Sequence, residues 1–521
     1  MKRTLALVLA ALTLLGLLAG CNTEEDPYLP TGDGLTWDDP SQSTVPTAPT
    51  GEDQDLITVY TPGSTYNPYL NTDLNNQTWM SLVYQGLFAS DSDYTAHPIL
   101  CENYWISMDL QTYVFYIRPD AKFSDGTPVT LEDVEASLAF ALTSERYQGR
   151  FHYVETMFAN DGAITIRLNT PYEDLPLLLD VPILKQSELT AEQPLGTGPY
   201  QLTSSAGGMR LIRVSSWWAN AELPISGSSV ILREAKSIIQ TRDDFERSDV
   251  ELVCIDPGNP KYAAYRCDYE LWDCETGHFL YLTTHKNSWI FGDDTIRQLL
   301  SNVINREQIV EEFYHGYARP ATLCASPLSP YYDSFLAAQY GQYDPDSFTY
   351  ALSGLDTEGK TVRILVNSAD NQRVSIAHRI EVMLEQCGLA VDVVARTGSE
   401  LTYVLSVRTY DLYLGQTTLS PNMDLSAFFE LNGELSYGLT NNRLHDLCKD
   451  ALANRGNYYN LLKEVAEEGR LIPILFGTNA VYAKRGTASE LVPSRGNVFY
   501  YDLGLTAADV LLTERRTDIA G

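Results

Sequence analysis

The chain has 521 residues, 44% of them hydrophobic, and sets 68 acidic against 36 basic side chains for a formal net charge of −32. Such acidity without a basic cluster offers no surface that could neutralise phosphates, which argues against nucleic acid as a partner. Length and apolar content instead support two to four domains or lobes with sizeable cores.

Lys2 and Arg3 precede an apolar run from Leu5 to Leu18, and small residues lead through Ala19 and Gly20 to Cys21. This is the pattern of a secretory signal over residues 1–21, too short for a permanent span of about 20 residues. The segment resembles a bacterial lipoprotein lipobox. That implies lipid attachment at Cys21 and a mature chain held at the outer face of the cell membrane, or on the periplasmic side where the host has an outer membrane. Residues 22–54, exemplified by TVPTAPTGEDQD, are polar and aperiodic. They are expected to form a flexible tether with a reach of about 30 Å.

The folded part begins with the strand-like run Leu56 to Tyr60. Trp79, Leu82, Val83 and Leu87 fall on one helical face. Tyr113 to Ile117 and Ile164 to Leu168 are predicted strands, and Thr130 is placed to cap a helix that opens with Glu132 and Asp133. Further on, the β-branched run Thr361 to Asn367, the helical spacing Ile376, Ile380, Met383, Leu384, Cys387, the stop at Gly388 and the run Leu389 to Val394 make a βαβ crossover. A crossover of this kind implies parallel strands covered by helix, hence a mixed α/β architecture.

Besides Cys21 there are seven cysteines, an odd number, and none shows the C-x-x-C spacing of a zinc site. Cys267 and Cys274 could close a small loop in an oxidising compartment; two buried thiols are the alternative. Gly354 to Thr361 satisfies G-x-x-x-x-G-K-T, yet a helix-like stretch precedes it and a strand follows. A phosphate loop requires the reverse order, so the segment reads as a turn. No G-x-S-x-G or H-E-x-x-H occurs, and the seven histidines are scattered. The chain is therefore expected to be no enzyme, with no metal and no cofactor. The 33 tyrosines and 7 tryptophans suit a wet cleft, although most aromatics are core residues.

Four segments resemble the bacterial extracellular solute-binding proteins of the oligopeptide, dipeptide and nickel class that serve ABC importers. They are Tyr113 to Val134 (strand, Asp125-Gly126-Thr127-Pro128 turn and capped helix), the glycine turn Gly196-Thr197-Gly198-Pro199-Tyr200, the paired helices around Arg297, Arg306 and Gly316, and the βαβ unit. The resemblance implies a periplasmic-binding-protein-like α/β fold (type II, cluster C) whose two lobes close on ligand in a cleft. Lobe I would use residues 55–72, 182–274 and 472–521, an extra subdomain residues 73–181, and lobe II residues 275–471. It also implies a monomer that captures a short peptide or similar small polar solute and delivers it to an ABC permease. A ligand sensor for a membrane signalling partner and a secreted hydrolase are the alternatives.

Site residues follow from the same resemblance. On the first lobe Tyr66, Asn67, Tyr84 and Gln85 match loops that face the cleft, and Gly196, Thr197 and Gly198 form the glycine turn. On the second, the segment after Asp411-Leu412-Tyr413-Leu414 supplies Gly415, Gln416, Thr417, Asn422 and Asp424. The tryptophan and Asp-Pro of peptide-binding members are absent there. Hydroxyl and amide groups in their place suit a neutral polar ligand.

Overall fold

A computed structural model describes residues 55–205, 207–221, 227–488, 491–495 and 497–499. The signal segment with Cys21, the tether and residues 500–521 lie outside the described residues. The described residues form one compact unit.

Its first sheet has the order Leu56–Tyr60, Ser229–Glu234, Gly208–Arg213, Tyr200–Ser205, with the first pair parallel and the others antiparallel. A second, antiparallel sheet runs Cys101–Ile106, Thr112–Ile117, Ala163–Leu168, Val154–Asn160. The helix Leu131–Ala141 that follows the Asp125 turn opens on a complete capping box between Thr130 and Asp133, as the Thr-x-x-Asp spacing predicts. Asp125 ties the turn together by accepting from the Thr127 amide (3.0 Å) and hydroxyl (2.6 Å) and pairing with Lys185.

The third sheet holds Leu252–Ile255, Leu471–Ala483, Glu270–Thr284, Leu412–Thr418, Thr361–Asn367 and Ala390–Arg396 in that order, with Arg319–Pro320 on the side of Leu471–Ala483. The last three of the ordered strands are parallel, and the helix Asn371–Gln386 makes the βαβ crossover. Gly354–Thr361 is indeed the turn between the helix Pro345–Leu352 and the strand Thr361–Asn367.

Two long strands carry the chain between the halves of this sheet. Glu270–Glu275 pairs with Thr478–Ala483, which also pairs with Leu252–Ile255. Phe279–Thr283 pairs with Leu471–Phe476 and is flanked by Leu412–Thr418. Between the two stretches the register shifts, from Glu275 to Phe279. Gly277 sits at the shift with φ +73°, and a Cβ there would lie 2.9 Å from the Leu419 carbonyl. Only glycine fits both constraints. One large core surrounds Trp79, Tyr113 and Phe115, while two others fill the two faces of the parallel strands.

Two local expectations are corrected. The helix containing Trp79 spans only Leu74–Met80. Beyond it the carbonyls of Leu82 and Val83 accept from Tyr200 (3.0 Å) and Gly198 (2.9 Å), so this backbone pairs with the glycine turn instead of continuing a helix. Nor do Cys267 and Cys274 form a disulfide. Cys267 is a free, partly exposed thiol with Lys484 Nζ 3.4 Å from its sulfur. Cys274, on the strand Glu270–Thr284, is buried in the large core, where burial raises the pKa of its neighbour Cys254.

A polar pocket at the ends of the parallel strands

In an open α/β sheet, ligands gather beyond the carboxyl ends of the parallel strands. The strands Thr361–Asn367 and Leu412–Thr418 end beside the register shift of the two long strands, and a pocket of about 480 Å³ opens there. That volume lies within the usual range for small-molecule sites, roughly 300–1,000 Å³. Six places in the chain build its wall, two of them being Tyr314 and the segment Leu475 to Asn479 of a long strand. Gln416 comes from the strand Leu412–Thr418, Asn371 and Gln372 from the first turn of the crossover helix, Thr276 and His278 from one long strand, and Asp256 with Asn259 from the loop after Leu252–Ile255.

Several of these groups are held in place by the fold. Thr276 Oγ1 donates to the Gly477 carbonyl at 2.8 Å and accepts from the His278 amide at 3.1 Å. Gln372 Nε2 donates to Phe313 O at 2.7 Å. Asp256 Oδ1 accepts from Gly258 N at 2.8 Å. Asp370 is committed to its own helix, accepting from Arg373 N at 2.9 Å and pairing with the Arg373 guanidinium at 3.0 Å. Desolvation lowers the pKa of His278, opposed by Asp256, so its imidazole is neutral at pH 7. Among the described residues no lysine or arginine lines the pocket. The wall thus offers amides, hydroxyls, a neutral imidazole and carboxylate, a set that hydrogen-bonds neutral polar groups and favours a cationic one over an anion.

Strand alternation decides which predicted residues reach this wall. Gln416 stands opposite Leu280, on the face of Thr276 and His278, whereas Gly415 and Thr417 stand opposite Tyr281 and Phe279 on the other face. Gly415 makes room there: a Cβ would sit 2.5 Å from the Tyr281 ring. Of the predicted residues, Gln416 alone is in this pocket.

Of the other candidates, all but Gln85 are committed to contacts within the chain. Asn67 is fully buried, its amide donating to Leu189 O and Ala191 O (both 2.9 Å) and its carbonyl accepting from Tyr69 N (3.0 Å). The expectation that it contacts ligand is therefore corrected: the side chain is spent on the backbone. Tyr84 Oη donates to Tyr66 O and Pro194 O, and Tyr66 packs on Trp79. Tyr84 and Gln85 line a second pocket, of about 140 Å³, with Arg146, Arg150 and Asp180, where Gln85 Oε1 is buried without a partner. Thr197 O accepts from the indoles of Trp217 (2.9 Å) and Trp218 (3.0 Å). Gly196 and Gly198 are pressed against Val83 and Leu82. These three residues bind segments of the chain to one another.

Asn422 and Asp424 lie elsewhere again, in a tyrosine-rich seam that sequence reasoning missed. Tyr153 donates to Ser426 Oγ at 2.6 Å, and Ser426 N donates to Asp424 at 2.9 Å. Tyr458 donates to Asn422 O and Tyr94 to Glu275. Arg455 grips Asp174 at 2.5 and 3.0 Å, and His152 meets Glu430 at 2.8 Å. The seam joins the antiparallel sheet and its flanking loops to the loops after Leu412–Thr418. Tyr172 Oη, Tyr331 Oη, Asn422 Oδ1 and Glu275 Oε1 are buried along it without a hydrogen-bond partner. Burial also raises the pKa of Asp424.

Comparison with known proteins agrees with this architecture. The model of bacterial extracellular solute-binding proteins, family 5, matches residues 95–436. The glutathione-binding protein GsiB of Salmonella typhi is 24% identical over 308 residues, covering 54% of this chain and 57% of its own. GsiB of Pectobacterium atrosepticum is 26% identical over 313 residues, covering 54% and 58%. The chain thus spans less than two thirds of the length of these relatives. Among solved structures, the ABC transporter substrate-binding protein CtaP of Listeria monocytogenes superposes with TM-score 0.70 at 19% identity, covering 87% of this chain and 99% of that one. NikA of Brucella suis, in complex with Fe(III)-EDTA, gives 0.69 at 18% identity, covering 86% and 99%. The oligopeptide-binding protein AppA of Bacillus subtilis, in complex with a nonapeptide, gives 0.59 at 18%, covering 83% and 95%. The likeness to these structures shows the type II periplasmic-binding-protein fold. Family 5 proteins bind solutes for transport and are not enzymes. The chain belongs to the bacterial extracellular solute-binding proteins, family 5.

Proposed function

We propose that the protein is a lipid-anchored receptor that captures a short peptide or similar small polar solute and delivers it to the permease of an ABC importer. The observation that carries this reading is the polar pocket at the carboxyl ends of the parallel strands, lined by Gln416, Thr276, His278, Asn371 and Asp256 and, among the described residues, free of lysine and arginine. A peptide or amine would place its ammonium toward Asp256, and its amides toward Gln416, Asn371 and Asn259.

The register shift at Glu275–Phe279 is the hinge of this reading. There the two long strands lose their ladder, so rotation costs few backbone hydrogen bonds. Ligand would favour the closed form by its greater affinity for it. The lipobox Cys21 and the tether 22–54 would hold the receptor, as a monomer, at the outer face of the membrane.

Native mass spectrometry of the purified chain tests the reading, because a bound solute should appear as a discrete added mass. Asp256→Asn with Gln416→Ala should abolish that mass while leaving the melting temperature unchanged. Retention of the solute by the double variant would place the binding site elsewhere.

A further inference from the structure

At the opposite end of the parallel strands, where Thr361–Asn367 and Leu412–Thr418 begin, another pocket of about 690 Å³ opens. Its character is unlike the rest of this acidic chain. Lys360, Arg363 and Arg408 line it together with His285, Ser288 and Trp289, and Lys286 lies close enough to act on His285.

The one carboxylate in the wall among the described residues, Asp411, is already engaged. Its Oδ1 accepts from Ser288 Oγ at 2.5 Å and its Oδ2 from Arg363 N at 3.0 Å. Lys360 is shared between Asp356, at 3.8 Å, and the face of Trp289, at 5.1 Å. Among the described residues no carboxylate forms an ion pair with the guanidinium of Arg363 or Arg408.

A second observation is independent of charge. His285 is only 7% exposed, lines this pocket, and its Nε2 has no hydrogen-bond partner. A buried ring nitrogen left without a partner is costly unless something outside the protein satisfies it. Desolvation and the nearby Arg408 both lower the imidazole pKa, so the ring is neutral and can donate from Nε2 without adding charge. Lys360 and Thr361 end the G-x-x-x-x-G-K-T match, but Thr361 opens a strand and not a helix, so side chains would hold a ligand.

We propose that this pocket is a second binding site, separate from the polar pocket, for the oxyanion group of a small molecule. Arg363 and Arg408 supply the charge and His285 Nε2–H the neutral donor; phosphate and carboxylate share the required chemistry.

Calorimetric titration of the full chain at low ionic strength with inorganic phosphate, and separately with citrate, tests it. Saturable one-to-one binding is expected for at least one probe, and which one responds identifies the phosphoryl or the carboxylate source. Arg363→Gln with Arg408→Gln should weaken binding roughly tenfold. Both side chains are solvent-exposed, so the melting temperature should not move. His285→Phe should weaken binding without changing the charge count. The proposal is overturned if neither anion binds more tightly than chloride, or if the double variant binds as the parent does.

Discussion

Gly196 is packed against Val83 so closely that a Cβ on it would lie 1.8 Å from the Val83 carbonyl oxygen. The neighbouring Gly198 amide donates to that same carbonyl at 2.9 Å, and the Gly196 carbonyl accepts from Ser124 N at 2.9 Å. The glycine turn therefore clasps the loop after the helix Leu74–Met80 and the Asp125 turn at one point.

Substituting Gly196 by Ala should cost about 3 kcal/mol, the upper part of the range for overpacking, because a backbone carbonyl cannot yield as a side chain does. Urea denaturation measures this. A variant as stable as the parent, with impaired solute retention, would mean that the turn serves ligand and not fold.

Gln416 and Asn422 are six residues apart in sequence and belong to different pockets. Gln416→Ala should weaken retention of the bound solute about fivefold, the worth of one hydrogen bond of roughly 1 kcal/mol. Asn422→Ala should leave retention unchanged, since Asn422 meets Tyr458 through its backbone carbonyl. Competition native mass spectrometry separates the two, and equal losses would contradict the assignment.

What was legible in the sequence was whatever is fixed locally. The Thr130–Asp133 capping box, the crossover from Thr361 to Arg396 and the turn at Gly354 depend on neighbours within a few residues, so their periodicity and cap chemistry predict them. The face that Gln416 presents is different in kind. It depends on pairing with Leu280, 136 positions earlier in the chain, whose register in turn depends on the shift at Gly277. A one-residue slip would exchange Gln416 for Thr417. Asn67 failed for a related reason: an asparagine in a loop beside a tyrosine looks available, yet the three partners of its side chain come from Tyr69 and from residues 189 and 191. The seam was invisible because its partners are so distant; Tyr94 and Arg495, 401 residues apart, come within 3.4 Å.

Tyr94 is the only hydrogen-bond partner of the Glu275 carboxylate among the described residues, and Glu275 Oε1 has none. Removing the hydroxyl by Tyr94→Phe strands a carboxylate that is 6% exposed beside the register shift. A loss of about 1–3 kcal/mol is expected. Adding Glu275→Gln should recover part of it, because a neutral amide is cheaper to bury unpaired than a charge. A double-mutant cycle in urea checks the coupling; additive losses would mean that the contact does not tie the seam to the long strand.

Asp424 gives the fold a pH dependence of predictable sign. Burial raises its pKa above the ordinary carboxylate value, while the hydrogen bonds from Ser426 oppose the shift. A raised carboxyl binds its proton more tightly in the folded than in the unfolded state. Its contribution is therefore neutral below the unfolded value near 3.8, and stability falls as pH rises from there through the folded value. Asp424→Asn keeps an oxygen to accept from Ser426 and removes the charge. The variant should melt higher than the parent at pH 7, by roughly 2 °C, and the difference should vanish below pH ~2.5, where both states of the parent are protonated. Thermal scans across that range decide the matter. A variant less stable than the parent at pH 7 would mean that the ionised carboxylate is stabilised by partners along the seam, and that Asp424 holds Ser426 and Tyr153 in place through its charge.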